Sequence, residues 1–132
     1  MAIVYKVVTT LQLRKILALY LIGVGTTMIL IWIVFFATGL TSRLNMAITT
    51  LTTHVLAETI AGLLAGFGGV LLLKDRKYAA QFTFLGEGAL FYAILNVIGY
   101  YIDIQLIWLV SILVPALIFH VIIIGLSYKI LK

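Results

Sequence analysis

Apolar residues in this chain do not alternate with polar ones. They come in four long blocks, approximately residues 16–40, 47–73, 79–102 and 104–127, separated by short polar breaks. A membrane-crossing helix needs about 20 mostly apolar residues at a rise of about 1.5 Å each, and every block meets that length. The breaks are chemically suited to turns. Thr41-Ser42-Arg43-Leu44-Asn45 is polar, with Asn45 placed to cap the second helix. Lys74-Asp75-Arg76-Lys77 is fully charged, and the third break is little more than Asp103, so the last two helices must form a tight hairpin. Residues 2–13 alternate weakly and fit either an interfacial helix or an extension of the first span. The expected fold is all-α: an integral membrane four-helix bundle forming a single transmembrane domain over residues 1–132.

Composition strengthens this reading. Hydrophobic residues make up 64% of the 132 and charged residues 10%, against about 45–50% and about 25% in soluble domains. A chain this small cannot bury that excess in its own core, so a bilayer must supply the apolar surroundings. The first block is far longer than the apolar core of a cleavable signal, which runs about 7–15 residues, and reads as a retained span. With no cysteine, disulfides and thiolate chemistry are excluded.

The net charge of +5 matters less than where the charges sit. Lys6, Arg14 and Lys15 precede the first block, Lys74, Arg76 and Lys77 fill the second break, and Lys129 and Lys132 end the chain; only Arg43 lies on the other side. This asymmetry places both termini in the cytoplasm and the protein in the cell membrane, with many passes through it. Tyr20, Tyr78 and Tyr128 then mark the inner interface, and Tyr100, Tyr101 and Trp108 the outer one. The basic residues form no patch interleaved with aromatics, so nucleic acid is not an expected partner. The expected surroundings are the lipid bilayer, with a homo-oligomer or a larger membrane complex.

Polar groups inside the blocks are the candidate chemistry, since an ionisable group at mid-bilayer costs about 2.5–3.5 kcal/mol on insertion scales. His54 and Glu58 lie one turn apart on one helix face. Tyr92, Asn96 and Tyr100 recur every four residues on the next helix, and Asn96 falls at about the depth of His54 if the helices are antiparallel. Meeting faces would give a polar seam open to the outer surface, with Glu58 at its inner end and Tyr92 within reach. Glu87, nine residues from Asn96, points the opposite way, toward the first or fourth helix or another subunit. The candidate ligand- or ion-binding set is therefore His54, Glu58, Tyr92, Asn96 and Glu87.

The plainer alternative is that these groups only hydrogen-bond neighbouring helices. Such contacts average about 0.6 kcal/mol, a weak return for a carboxyl. His120, five residues after Pro115, is expected to bond a carbonyl near the loosened turn. It lies about 15 Å in depth from His54, too far for both to ligate one haem. Two protein ligands are also too few for zinc, so no metal and no cofactor is expected. Ala61, Gly62, Ala65 and Gly69 continue the face below Glu58, and with Gly66 they make the second helix a central packing element. The Gly-x-Gly strings "LIGVGTTMIL" and "FLGEGALFYA", 63 residues apart, raise the weaker idea of a duplicated hairpin.

The strings "HVLAE" and "LGEGALFYAILNVIGYY" resemble a pattern in small, functionally uncharacterised four-span membrane proteins of archaea and bacteria. It is His-x-x-Ala-Glu followed by Gly-x-x-x-Tyr-x-x-x-Asn-x-x-Gly-Tyr-Tyr, and here it falls on His54, Ala57, Glu58, Gly88, Tyr92, Asn96, Gly99, Tyr100 and Tyr101. The resemblance implies the four-span topology and no activity. From the residues themselves, the expected function is an intramembrane polar site that binds or conducts a proton, cation or small ligand in an oligomeric transport protein. A non-catalytic accessory subunit of a larger membrane complex is the alternative. No nucleophile or complete catalytic set is visible, so an enzyme is not expected.

Overall fold

The computed structural model describes the backbone of residues 2–44 and 46–132, and the side chains of residues 10–42, 44 and 46–132. Four helices follow in order: α1 (Ala2–Ala37), α2 (Ile48–Leu73), α3 (Ala79–Asp103) and α4 (Ile107–Leu131). A short 3-10 turn, Leu40–Leu44, leads from α1 toward α2. Each helix contains a segment long and apolar enough to cross a membrane, beginning at Thr10 in α1. Residues 2–13 therefore continue the first helix. Asn45, expected as the cap of α2, lies outside the described residues, and the helix starts at Ile48 behind Ala47.

Two of the helix ends are built alike. After Lys74, Asp75 turns to φ 49°, and Asp75 and Arg76 donate backbone N–H bonds to Leu72 O and Leu71 O. After Ile104, Gln105 turns to φ 59°, and Gln105 and Leu106 donate to Ile102 O and Tyr101 O. This left-handed closure satisfies carbonyls at the helix end and reverses the chain within a few residues. It is normally made with glycine, so Asp75 and Gln105 each hold a conformation that costs about 1–2 kcal/mol for a residue with a β-carbon.

Antiparallel α1 and α2 pack closely because their contact is made of small residues. A β-carbon added at Gly62 would lie 2.8 Å from the Gly25 carbonyl oxygen, and one at Gly86 only 2.6 Å from Ala65 Cα, where α3 crosses α2. Ala61, Ala65 and Ala93 are all nearly fully buried in this contact zone, together with Leu21 and Leu90. Lipid tails are as apolar as leucine, so close packing of this kind is what holds helices together in a membrane. The two Gly-x-Gly strings play unlike parts in it: Gly25 and Gly86 are the crowded members, while Gly23 and Gly88 face open space. Positions that correspond by the 63-residue offset thus differ in role, which removes the packing basis for a duplicated hairpin.

Helix α4 lies against α3 and only lightly against α1. Its outer face, including Ile107, Ile112, Ile118 and Phe119, is more than half exposed. Arg14 bonds Asp75 at 2.7 Å, bringing the beginning of the first span and the charged turn to one end of the bundle. At this basic end Lys77 Nζ sits 5.5 Å from the Tyr78 ring centroid, and Lys132 Nζ 5.3 Å from that of Tyr128. At the opposite end, Tyr100 OH donates to Leu44 O and ties α3 to the 3-10 turn.

Candidate functional site

The polar groups divide into two clusters on opposite sides of α3. The first is nearer the 3-10 turn. Asn96 Nδ2 donates to His54 Nδ1 at 2.9 Å, joining α3 to α2 as the antiparallel register requires. His54 is buried, its ring meets the edge of Tyr100 at 5.8 Å, and its Nε2 has no hydrogen-bond partner. One turn deeper, Glu58 Oε2 accepts a 2.7 Å bond from Trp32 Nε1 on α1. His54 and Glu58 thus share a face, but each is anchored by a different helix.

Both side chains stand in the wall of a cavity of about 300 Å³. All four helices contribute to its lining: Trp32 and Phe35 from α1, His54 and Glu58 from α2, Ala93 and Tyr101 from α3, and Leu113 from α4, with Leu44 and Met46 from the connection before α2. The cavity exists because α4 leans on α3 and leaves α1 largely alone. Beyond the His54–Glu58 edge and the tyrosines, the walls are aliphatic and aromatic.

The second cluster lies nearer the basic end and is closed. Tyr20 OH meets His120 Nδ1 at 2.8 Å, and His120 Nε2 meets the Glu87 carbonyl oxygen at 2.9 Å. The ring therefore donates from Nε2 and accepts from the tyrosine. Ser127 Oγ contacts the Glu87 carboxyl and lies 2.9 Å from Ile123 O. Glu87, His120, Ser127 and Thr83 are all essentially inaccessible, and Glu87 Oε2 and Thr83 Oγ1 have no hydrogen-bond partner. His120 bonds a carbonyl, as expected, but that carbonyl is on α3 rather than near its own Pro115.

Of the five residues expected at the site, His54, Asn96 and Glu58 come together. Tyr92 does not: it is 61% exposed and takes no part in lining the cavity. Six residues carry it roughly 120° around α3 from Gly86, which faces α2, so it points toward the bundle exterior. Glu87 forms the separate inner cluster. Trp32, Ser127 and Thr83 were not anticipated; Tyr20 was placed only as an interface marker, and Tyr101 as an interface marker and a position of the resembled pattern. A buried Trp N–H needs an acceptor, and that need was the available signal for Trp32. Among the described residues, no three or more His, Asp or Glu side chains converge as a metal site would require.

Residues 11–132 match the family model described as a domain of unknown function, DUF8058. No curated protein and no solved structure matches the chain.

Proposed function

The chain belongs to the DUF8058 family, and we propose that it is a multi-pass protein of the cell membrane that binds a small, mainly apolar molecule within the bilayer. One observation carries this reading: a cavity of about 300 Å³ is apolar over most of its wall yet holds His54 and Glu58 at one edge. Trp32 takes one carboxyl oxygen of Glu58, which leaves the other to a bound molecule. The apolar walls do the rest, since small-molecule sites combine an apolar lining with a few placed polar groups.

Both termini are taken as cytoplasmic from the distribution of Lys and Arg, which puts the cavity in the outer half of the membrane. Because α1 and α4 touch only lightly, the route proposed for an apolar molecule runs from the lipid between them.

Binding is favoured over conduction by what separates the clusters. In the packing register set by Gly86 against Ala65, Leu90 and Ala61 stand at the level between Glu58 and Glu87. Both are buried. An ion passing from one cluster to the other would meet these two apolar side chains, which cannot replace its hydration.

The site is lined by one chain, so this function does not require a second copy. Native mass spectrometry of the protein, extracted from its own membrane in mild detergent, tests the reading. A small molecule retained on each chain is expected. A chain that carries nothing and leaves the membrane only with larger, unrelated subunits would contradict it and favour an accessory role.

A further inference from the structure

The cavity wall holds one acid and no cation to pair with it, which restricts the ligand, given the reading of the cavity as a binding site. Among the described residues that line it, Glu58 is the only acidic side chain, and no Lys or Arg joins it. Glu58 Oε2 accepts from Trp32 Nε1, while Oε1 has no partner and, unlike His54 Nε2, is not sealed from the surface. The other titratable groups facing the space are His54 on α2 and Tyr100 and Tyr101 on α3; α1 and α4 contribute none. His54 Nδ1 already accepts from the Asn96 amide, so the ring is neutral and supplies no positive charge to Glu58. An ionised carboxylate there would stand in apolar surroundings with a single hydrogen bond and no counter-charge. Without a cation beside it, Glu58 is therefore held as the neutral acid.

Aromatic rings stand on two sides of the same space. Trp32 and Phe35 of α1 form one pair, with centroids 5.8 Å apart, and Tyr100 and Tyr101 of α3 form another at 5.5 Å. The face of a ring carries partial negative charge and attracts an ammonium group, most strongly at tryptophan and where water is excluded. The chain's own cations do not use these rings: among the described residues, both lysine–ring contacts lie at the basic end, on Tyr78 and Tyr128.

We propose that the ligand is an organic cation, an ammonium group on an apolar body, which takes the place of the Glu58 proton. The exchange balances in charge. One cation enters, Glu58 releases one proton to water, and the ion pair left in the cavity is neutral. Trp32 keeps its bond to Oε2, and the ammonium group pairs with Oε1. A neutral ligand uses the apolar wall alone, and an anion finds no positive side chain in it. A dry cavity of about 150 Å³ accommodates benzene, so about 300 Å³ takes one ring with a substituted ammonium beside it. The same ammonium chemistry occurs in free organic cations and in zwitterionic lipid head groups. A lipid head also brings a phosphate, for which the wall has no partner, so the free cation fits better.

Trp32 is a built-in reporter, because it lines the cavity and bonds Glu58 directly. The chain has two tryptophans, and the other, Trp108, is exposed. A Trp108→Phe background therefore isolates the signal. In detergent-solubilised full-length protein, Trp32 emission is titrated across a pH series with benzyltrimethylammonium, its uncharged carbon isostere neopentylbenzene, and dihexanoylphosphocholine, at free concentrations corrected for the micelle. The fixed charge of the first probe confines any pH dependence to the protein. At high pH it should bind saturably and about tenfold or more tighter than the isostere. Its affinity should fall, by up to about tenfold per pH unit, as Glu58 takes up its proton. The isostere should bind weakly and equally at every pH. Binding of the cation should also remove a carboxylic-acid carbonyl band from the infrared spectrum. Glu58→Gln should lose that band change, the pH dependence and the preference for charge, while still binding the isostere. Tighter binding of the phosphocholine, with the same pH dependence, would assign the ammonium group to a lipid head. Equal affinity for cation and isostere would overturn the cation inference and leave the cavity standing as an apolar site. A preference for charge that ignores pH, or that survives in Glu58→Gln, would overturn the exchange at Glu58. If no probe saturates, the binding reading of the cavity falls with it.

Discussion

Glu87 is almost fully buried, and counting hydrogens says how it is held. Ser127 has one hydroxyl hydrogen but two oxygens in reach, the Ile123 carbonyl and the Glu87 carboxyl. Ser127 can share its one hydrogen between them, but each contact gains a hydrogen of its own when the carboxyl is in its acid form and donates to Ser127 while Ser127 donates to Ile123. A buried carboxylate with no cation beside it would cost several kcal/mol, which agrees with the acid form. Glu87→Gln, a neutral isostere that can still donate, should then change stability by less than about 1 kcal/mol, and the carboxylic-acid carbonyl band assigned to Glu87 should vanish from the infrared spectrum. Loss of folding in that variant, with no such band in the parent, would mean an ionised Glu87. Tyr20→Phe leaves His120 Nδ1 without its donor and should cost about 1 kcal/mol in detergent unfolding assays, toward the lower end for buried polar groups because membrane hydrogen bonds return little. At this scale the sequence was partly legible. The His54–Asn96 pair follows from helical spacing and an antiparallel register. Trp32 and Ser127 depend on how far α1 and α4 rotate about their own axes, which no local pattern states.

Among the elements, α2 supplies the sharpest test, because its GxxxG glycines are not equivalent. Gly62 is pressed against the Gly25 carbonyl, whereas a β-carbon at Gly66 would meet nothing within 4 Å. Gly62→Ala should therefore loosen the α1–α2 contact and lower the melting temperature. Gly66→Ala should be neutral or stabilising, by up to about 1 kcal/mol from helix propensity. Equal loss in both would show that the pair acts as a unit. The turn after α3 gives an opposite expectation: Gln105→Gly relieves the left-handed backbone and should raise stability by about 1 kcal/mol. Asp75→Gly should gain less, because it also removes the Arg14 ion pair, though an exposed pair is worth only about 0–1 kcal/mol. Lengths and breaks of the spans were readable from apolar runs. The end of α1 was not: it stops at Ala37, ahead of Gly39 at φ 70°, although the apolar run continues to Leu40.

For the whole molecule, the absence of cysteine makes topology simple to measure, since each introduced thiol is the only one. Ser42→Cys should react with a membrane-impermeant maleimide in intact cells, and Lys132→Cys only after the membrane is opened. The reverse pattern would invert the protein and place the cavity in the inner leaflet. The arrangement of α4 was the least legible feature of the fold. It has no run of small residues comparable to the Gly and Ala face of α2, so its sequence specifies lipid on most sides and does not say which helix it leans on. That lean creates the cavity, and the proposed function rests on it. The most direct test fills the space: Val97, in the cavity wall, is replaced by Phe. Quenching of Trp32 by a brominated ten-carbon alcohol is then compared in the two proteins, both in the Trp108→Phe background and with thermal unfolding confirming that both fold. Saturable quenching in the parent and its loss in Val97→Phe is the expected result. Quenching that rises linearly with probe in both proteins would mean that the cavity is filled by ordinary lipid contact, and would contradict a binding site there.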